Sequence, residues 1–330
     1  MMNPEFFRDK KCLVTGGLGF IGSNLARALL EKGAVVTLVD SLIPEYGGNL
    51  FNVDGIEPWV RINISDVRDR FSMRALVKDQ DLLFNLAGQT SHLDSMHNPY
   101  TDLDINCHAQ ISILEACRHH NPDLKIVFAS TRQFYGKPDY LPVDENHPTR
   151  PVDVNGINKL AGEWYHILYN NVYGIRACAL RLTNTYGPRM RIVDARQTFL
   201  GIWVQHAIKN QTFEVWGGDQ LRDFTYVDDC VNALLLAAEN PAADGKFFNL
   251  GGQSPLTLRA LAELLIEEND GRGDFAIKEF PAERKKIDIG DYYCDWSLIK
   301  ETLGWKPTID EREGLRRTLD FYRENSAKYL

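Results

Sequence analysis

No run of about 18 apolar residues occurs anywhere in the 330-residue chain, so no membrane-spanning helix is expected. Residues 1–11 carry charge but no apolar core segment, which argues against a secretory signal. The six cysteines (Cys12, Cys107, Cys117, Cys178, Cys230 and Cys294) lack CxxC spacing, and the eight histidines include no HExxH. Neither disulfides nor a metal site is therefore expected, and the cysteine usage fits a reducing cytoplasm. Excess positive charge is missing too. Lys and Arg number 37 against 45 Asp and Glu, a net charge of -8. Such a surface repels phosphate backbones, so nucleic acid is not an expected partner.

What is present is ordinary globular composition, 44% hydrophobic and 25% charged, enough for one large α/β unit or two intimate domains. Short β-branched runs at 11–15, 35–39, 59–64, 82–86, 126–130 and 176–182 read as strands. Between them, 21–32, 99–120 and 154–171 carry helical patterns. This alternation predicts a parallel sheet covered on both faces. After Thr183 the rhythm breaks into short pieces rich in Gly, Pro and aromatics. A helix at 228–239, a strand at 246–250, a helix at 256–267 and a loop at 269–274 follow. No low-complexity linker separates the two parts, and the strand at 246–250 is free to rejoin the first sheet.

The sharpest motif runs Gly16-Gly17-Leu18-Gly19-Phe20-Ile21-Gly22, between the first strand and the first helix. Glycines there allow a tight turn and a close approach to a pyrophosphate, which the helix N-terminus then binds through free N–H groups. Asp40 closes the second strand 18 residues beyond Gly22. A carboxylate at that point accepts ribose hydroxyls and repels a 2′-phosphate, which favours NAD. Asp66 and Val67, after the third strand, are placed to cap the adenine. Ala87, Gly88 and Gln89, after the fourth, let a cofactor lie close to the sheet. The expected fold is a Rossmann-type doubly wound parallel sheet with a smaller interleaved α/β C-terminal substrate domain. Residues 1–182 with 226–252 form the NAD-binding part, and 183–225 with 253–330 the substrate part.

With these pieces in place, the chain resembles the extended short-chain dehydrogenase/reductase family, in particular its NAD-dependent sugar-nucleotide epimerases and dehydratases. The resemblance runs over nearly the whole chain. It is carried by TGGLGFIGSNLARALL, LVD, LAGQTSHLDSMHNP, DLDINCHAQISILEACR, FASTRQFYG, RLTNTYGPR, RDFTYVDD and FNLGG. It implies that Thr131 bonds the reacting sugar oxygen, that Lys159 holds the nicotinamide ribose, and that Asn106 belongs to the cofactor site. It also implies that Asn184 and Arg222 bind the diphosphate, although a salt bridge of Arg222 to Asp219 or Asp223 is an alternative. A basic residue before the C-terminal YCD stretch, Lys285 or a neighbour, fills the family's further arginine position. Arg191, one of several arginines after YGP, adds to an anion-binding patch.

Two departures matter. The family's YxxxK tyrosine is Asn155 here, one helical turn before Lys159. An amide takes no proton at usable pH, so Tyr135, Tyr186, Lys159 or a bridging water would have to act. The Asp-Glu pair that 4,6-dehydratases carry after the Thr is replaced by Arg132-Gln133, which demotes that chemistry. The reading is an NAD-dependent epimerase of a nucleoside-diphosphate sugar, oxidising a carbinol transiently and returning the hydride. The alternatives are another sugar-nucleotide enzyme (decarboxylase, reductase or dehydratase) or a non-catalytic NAD- and sugar-nucleotide-binding protein. Apolar residues on more than one face of the helices at 104–120 and 154–171, among them Ile113, Leu114, Ile157, Leu160 and Trp164, suggest a homodimer.

Overall fold

The computed structural model describes residues 3–330, so Met1 and Met2, where the first domain and the leader reading were taken to begin, lie outside the described residues. Chain order opens β1 (Lys11–Thr15), α1 (Phe20–Glu31), β2 (Val35–Asp40), β3 (Val60–Ile64), α2 (Arg70–Leu76) and β4 (Leu82–Asn85). Next come α3 (His92–His97), α4 (Pro99–Leu103), a π-helical turn (Asp104–His108), α5 (Ala109–His120), β5 (Lys125–Thr131), α6 (Val154–Tyr173) and β6 (Ala177–Leu182). The later part contributes β7 (Asn184–Tyr186), α7 (Phe199–Ile208), β8 (Thr212–Trp216), β9 (Leu221–Arg222), β10 (Phe224–Tyr226), α8 (Val227–Glu239) and β11 (Phe247–Asn249). It closes with β12 (Leu256–Thr257), α9 (Leu258–Glu268), β13 (Asp274–Lys278), α10 (Ala282–Lys285), α11 (Ser297–Leu303) and α12 (Glu311–Asn325).

Seven strands form one parallel sheet in the order β11-β6-β5-β4-β1-β2-β3. This is the Rossmann-type architecture the sequence predicts, and β11 rejoins the sheet beside β6. The central strands are continuous apolar runs because both faces are covered. In β1, Cys12 and Val14 enter one core while Leu13 enters the other, the two-residue alternation of a strand. Chain order reverses at β1, between β2 and β4, which opens a crevice beyond the strand C-termini. Three two-stranded ribbons, β10–β7, β12–β9 and β13–β8, build the other lobe.

Four elements differ from the sequence reading. The helix expected at 99–120 is interrupted by the π turn, whose extra residue keeps Ile105 and Asn106 buried. The loop expected at 269–274 gives way to β13 at Asp274, which pairs in parallel with β8. Helices α2 and α3 are short, of 7 and 6 residues, and each is capped at its N-terminus. Asp69 and Ser91 accept the capping N–H groups of Phe71 and Asp94.

Candidate active site

The crevice is built first from backbone. Gly16 adopts a left-handed φ of 68°, and a Cβ there would sit 3.1 Å from the Ala87 nitrogen. Gly19 begins α1 with no side-chain cap and no acid in the first turn, so the helix N–H groups stay available to an anion. Gly16, Gly19, Phe20, Ile21, Gly22, Asp40, Asp66, Val67 and Ala87 all line the resulting groove. Asp40 accepts N–H bonds from Leu18 at 3.1 Å and Leu42 at 2.9 Å, and burial pushes its carboxyl upward despite them. Asp66 is engaged by Arg68, which holds its carboxyl below the ordinary range. Ser41, Tyr46, Thr90, Ile105 and Gln197 also line the groove and were not singled out from sequence. They come from loops and the π turn, where no periodicity marks them.

A larger cavity, about 540 Å³ against about 130 Å³ for the groove, lies at the opposite ends of the strands. Its charges pair among themselves, Lys10 with Asp81 and Lys125 with Asp244. Chemistry rather than volume therefore identifies the site.

Beneath the groove floor lies Lys159, 6% exposed, its Nζ donating to the Ala129 carbonyl at 3.2 Å. Burial lowers this amine to about 8. A Cβ on Gly88 would come within 2.8 Å of Nζ and 3.0 Å of Asn106 Oδ1, an acceptor that is buried without a partner. Glycine thus leaves an opening onto one cation and one orphaned acceptor, as a ribose with its hydroxyls requires. Gln89 and Asn106 stand behind this floor, Asn106 donating to the Gln89 carbonyl at 2.9 Å. Thr131, half-buried at the end of β5, accepts the Gln133 N–H at 3.2 Å.

Asn155 is not aimed at the reacting groups. Its amide donates to the Gln89 carbonyl at 2.8 Å and to Asp102 Oδ2 at 3.0 Å, while Asn158 donates to Asp102 Oδ1 at 2.8 Å. The position has become a strut between α6 and α4. Neither tyrosine suggested from sequence is placed to act. Tyr135 is sealed, donating to Asn249 at 2.8 Å and hydrogen-bonded by Arg181, which itself pairs with buried Glu163. Tyr186 is 1% exposed and faces the Glu311 carbonyl. Burial drives both hydroxyls upward, away from proton transfer.

The substrate side is also rearranged. Arg132 donates to Asn184 Oδ1 at 3.2 Å and stacks over Tyr292 at 5.0 Å. It makes no carboxylate pair among the described residues. Arg222, 6% exposed, is occupied instead by Asp288 at 3.1 Å and the Leu221 and Gly290 carbonyls. Its salt bridge is thus to neither acid considered from sequence. Arg191 is corrected more strongly. It forms a fork with Asp194 and donates to the Pro44 carbonyl at 2.7 Å, while its own N–H reaches Gln197. It clasps two loops beside the cofactor groove rather than a substrate. Lys285 is exposed on α10, whereas Arg284 is half-buried against Trp216.

A parallel sheet with a glycine turn, an acid lining the groove and a buried lysine points to a dinucleotide-binding enzyme. The chain matches the model of the NAD dependent epimerase/dehydratase family over residues 12–251, and it belongs to that family. It is 36% identical over 319 residues, covering 95% of this chain and 99% of the relative, to a putative UDP-glucose 4-epimerase of Methanocaldococcus jannaschii. Two solved structures are similar. UDP-glucose 4-epimerase of Thermotoga maritima with UDP-glucose has TM-score 0.87 and 29% identity, covering 96% and 99% of the two chains. The UDP-glucose 4-epimerase of Thermus thermophilus, complexed with NAD, has TM-score 0.83 and 28% identity, covering 95% and 99%. The protein is an enzyme of NAD-dependent sugar-nucleotide epimerase/dehydratase type, with NAD as its cofactor. No helix among the described residues is long and apolar enough to cross a membrane.

Proposed function

We propose that the protein epimerises a nucleoside-diphosphate sugar by oxidising one carbinol and returning hydride to the opposite face. NAD, when bound, accepts and returns that hydride. Lys159 and Asn106 hold its ribose through the opening at Gly88, and Thr131 bonds the reacting sugar oxygen. The observation that carries the reading is this pairing of a closed cofactor cradle with Arg132-Gln133 after Thr131, where no acid stands ready to eliminate water. The Arg191 clasp over the groove fits a cofactor retained through turnover, as an epimerase needs. Arg132 and Asn184 receive the diphosphate, with Arg222 behind them as a braced second charge.

In this reading residues 1–182 with 226–252 hold the cofactor, and residues 183–225 with 253–330 hold the sugar nucleotide. Ile157, Trp164, Leu168 and Val172 form an exposed apolar stripe along α6 at helical spacing, and this stripe supports a homodimer. Ile113 and Leu114 do not contribute, being fully buried within the subunit.

The test is incubation with UDP-hexoses and UDP-uronates in deuterated water, followed by NMR. Interconversion of two epimers without deuterium on carbon is expected, with NAD released only on acid denaturation. A shortened carbon skeleton, loss of water, or no reaction with any sugar overturns the reading.

A further inference from the structure

We propose that His92, oriented by Asp153, takes the sugar hydroxyl proton that the family's tyrosine takes elsewhere. The proposal rests on the epimerase reading. Tyr135 and Tyr186 are sealed, Asn155 is turned to Asp102 and Lys159 is bound under the floor, whereas the imidazole of His92 stands just beyond the end of β4. His92 opens α3, two residues beyond groove-lining Thr90. Its Nδ1 lies 3.0 Å from Asp153 Oδ2. That nitrogen is shielded from water, although the ring is tilted off a linear N–H···O bond. The side chain is nevertheless 35% exposed, and Nε2 makes no hydrogen bond among the described residues. One ring edge is therefore anchored and the other is free to meet a ligand.

Asp153 is built for this task. It is 3% exposed, its Oδ1 caps α6 through the Gly156 N–H at 2.7 Å, and its Oδ2 accepts Gln133 Nε2 at 2.9 Å. Burial pushes this carboxyl up, but His92 and the hydrogen bonds outweigh it and keep it below the ordinary range. Gln133 in turn donates its backbone N–H to Thr131 Oγ1. The chain Thr131–Gln133–Asp153–His92 thus fixes the hydroxyl that grips the sugar and the imidazole that would deprotonate it. A buried carboxylate behind Nδ1 selects the tautomer with a basic Nε2 and stabilises the imidazolium once formed.

In the oxidative half, the carbinol C–H bond breaks and its electron pair leaves as hydride to the nicotinamide. The O–H proton passes to His92 Nε2, leaving a ketone and an imidazolium facing Asp153. In the reverse half, hydride returns to the other face and the proton returns to oxygen. Other charges nearby are Asp94 on α3, met by Arg196 at 3.0 Å and faced by Arg284, and Arg132 next to Gln133.

The experiment uses the NAD-loaded protein and the epimer pair found above. H92Q should lower kcat by ~10²–10⁴, the range for removing a general base. It should change KM by under about threefold. Independently of turnover, ¹⁵N NMR of the neutral His92 ring should show the Nδ1–H tautomer, and D153N, which still caps α6, should abolish that preference. H92Q retaining kcat within about threefold, or an Nε2–H tautomer in the wild type, overturns the assignment. If the wild type epimerises normally and H92Q does too, only His92 fails. If the wild type epimerises nothing, the functional reading and the assignment fall together.

Discussion

The proposed cofactor half and the proposed sugar half of this crevice are made of different materials. Around the dinucleotide the work is done by backbone: a glycine at positive φ, open helix N–H groups, and carboxylates bonded to nearby N–H groups. Around the sugar it is done by long side chains from remote segments, such as Arg132 on Tyr292 and Arg222 on Asp288. Backbone geometry tolerates few residue types, so its sequence trace is local and fixed. A side-chain cluster depends on remote partners, as Arg222 does on Asp288. The glycine turn can therefore be read from local sequence, whereas the side-chain cluster has to be read from the fold.

The largest test of this contrast is K159M, which joins the two halves. Hydride transfer should fall by ~10²–10⁴, measured as cofactor reduction in a single turnover with the sugar nucleotide. The same change should stabilise NAD-free protein at pH 7 by about 2–3 kcal/mol in denaturant unfolding, because a buried cation is removed. The sign follows from the amine at about 8 folded against 10.5 unfolded. Between those values the unfolded chain binds more protons, so wild-type stability rises with pH, and the advantage of K159M should vanish above about pH 10.5.

N155Y, the restoration a family pattern invites, should instead cost about 1–3 kcal/mol, since Asp102 loses a donor in a dry site. No activity should be gained, and a faster enzyme would show that the reacting end transfers after all. On the sugar side, R132Q should weaken UDP binding by about 10- to 100-fold in calorimetry, the loss of a charge-assisted bond. NAD content should not change. R191A should do the converse, releasing NAD about tenfold faster with kcat preserved, because its fork clasps the two loops beside the groove.

The smallest effect concerns Asp223, fully buried near Arg132, with Oδ1 unpartnered and its carboxyl pushed up to about 6. Its ordinary value is 3.8, so the folded state holds the extra proton and this site's contribution declines as pH rises through about 6. D223N should therefore raise the melting temperature at pH 8 and leave it unchanged near pH 4. A uniform shift at both would place the effect in packing instead.

Sequence reading reached the seven-stranded sheet because continuous apolar strands, amphipathic helices and a glycine turn are local signals. Asp40 and Lys159 were legible for the same reason, each lying at a fixed step from a recognisable element. Asn155 was legible as a departure but not as a strut, since Asp102 lies 53 residues away. Tyr135 read as a candidate proton acceptor because burial against Asn249 and Arg181 depends on segments 114 and 46 residues distant. His92 passed unremarked because its meaning comes from Asp153, which the fold brings to it across β5.

The π turn at Asp104–His108 carries a consequence for how this site can vary. It spends one surplus residue inside an otherwise helical stretch. Deleting a single position there would let α4 and α5 fuse into one straight rod. Each side chain on the upstream side would then rotate by about 100° relative to those downstream. Asp102 would swing away from Asn155 and Asn158, or Asn106 away from Gly88, because one continuous helix cannot present both. Length variation among natural relatives should therefore avoid these five residues while being accepted in the loop that follows α5.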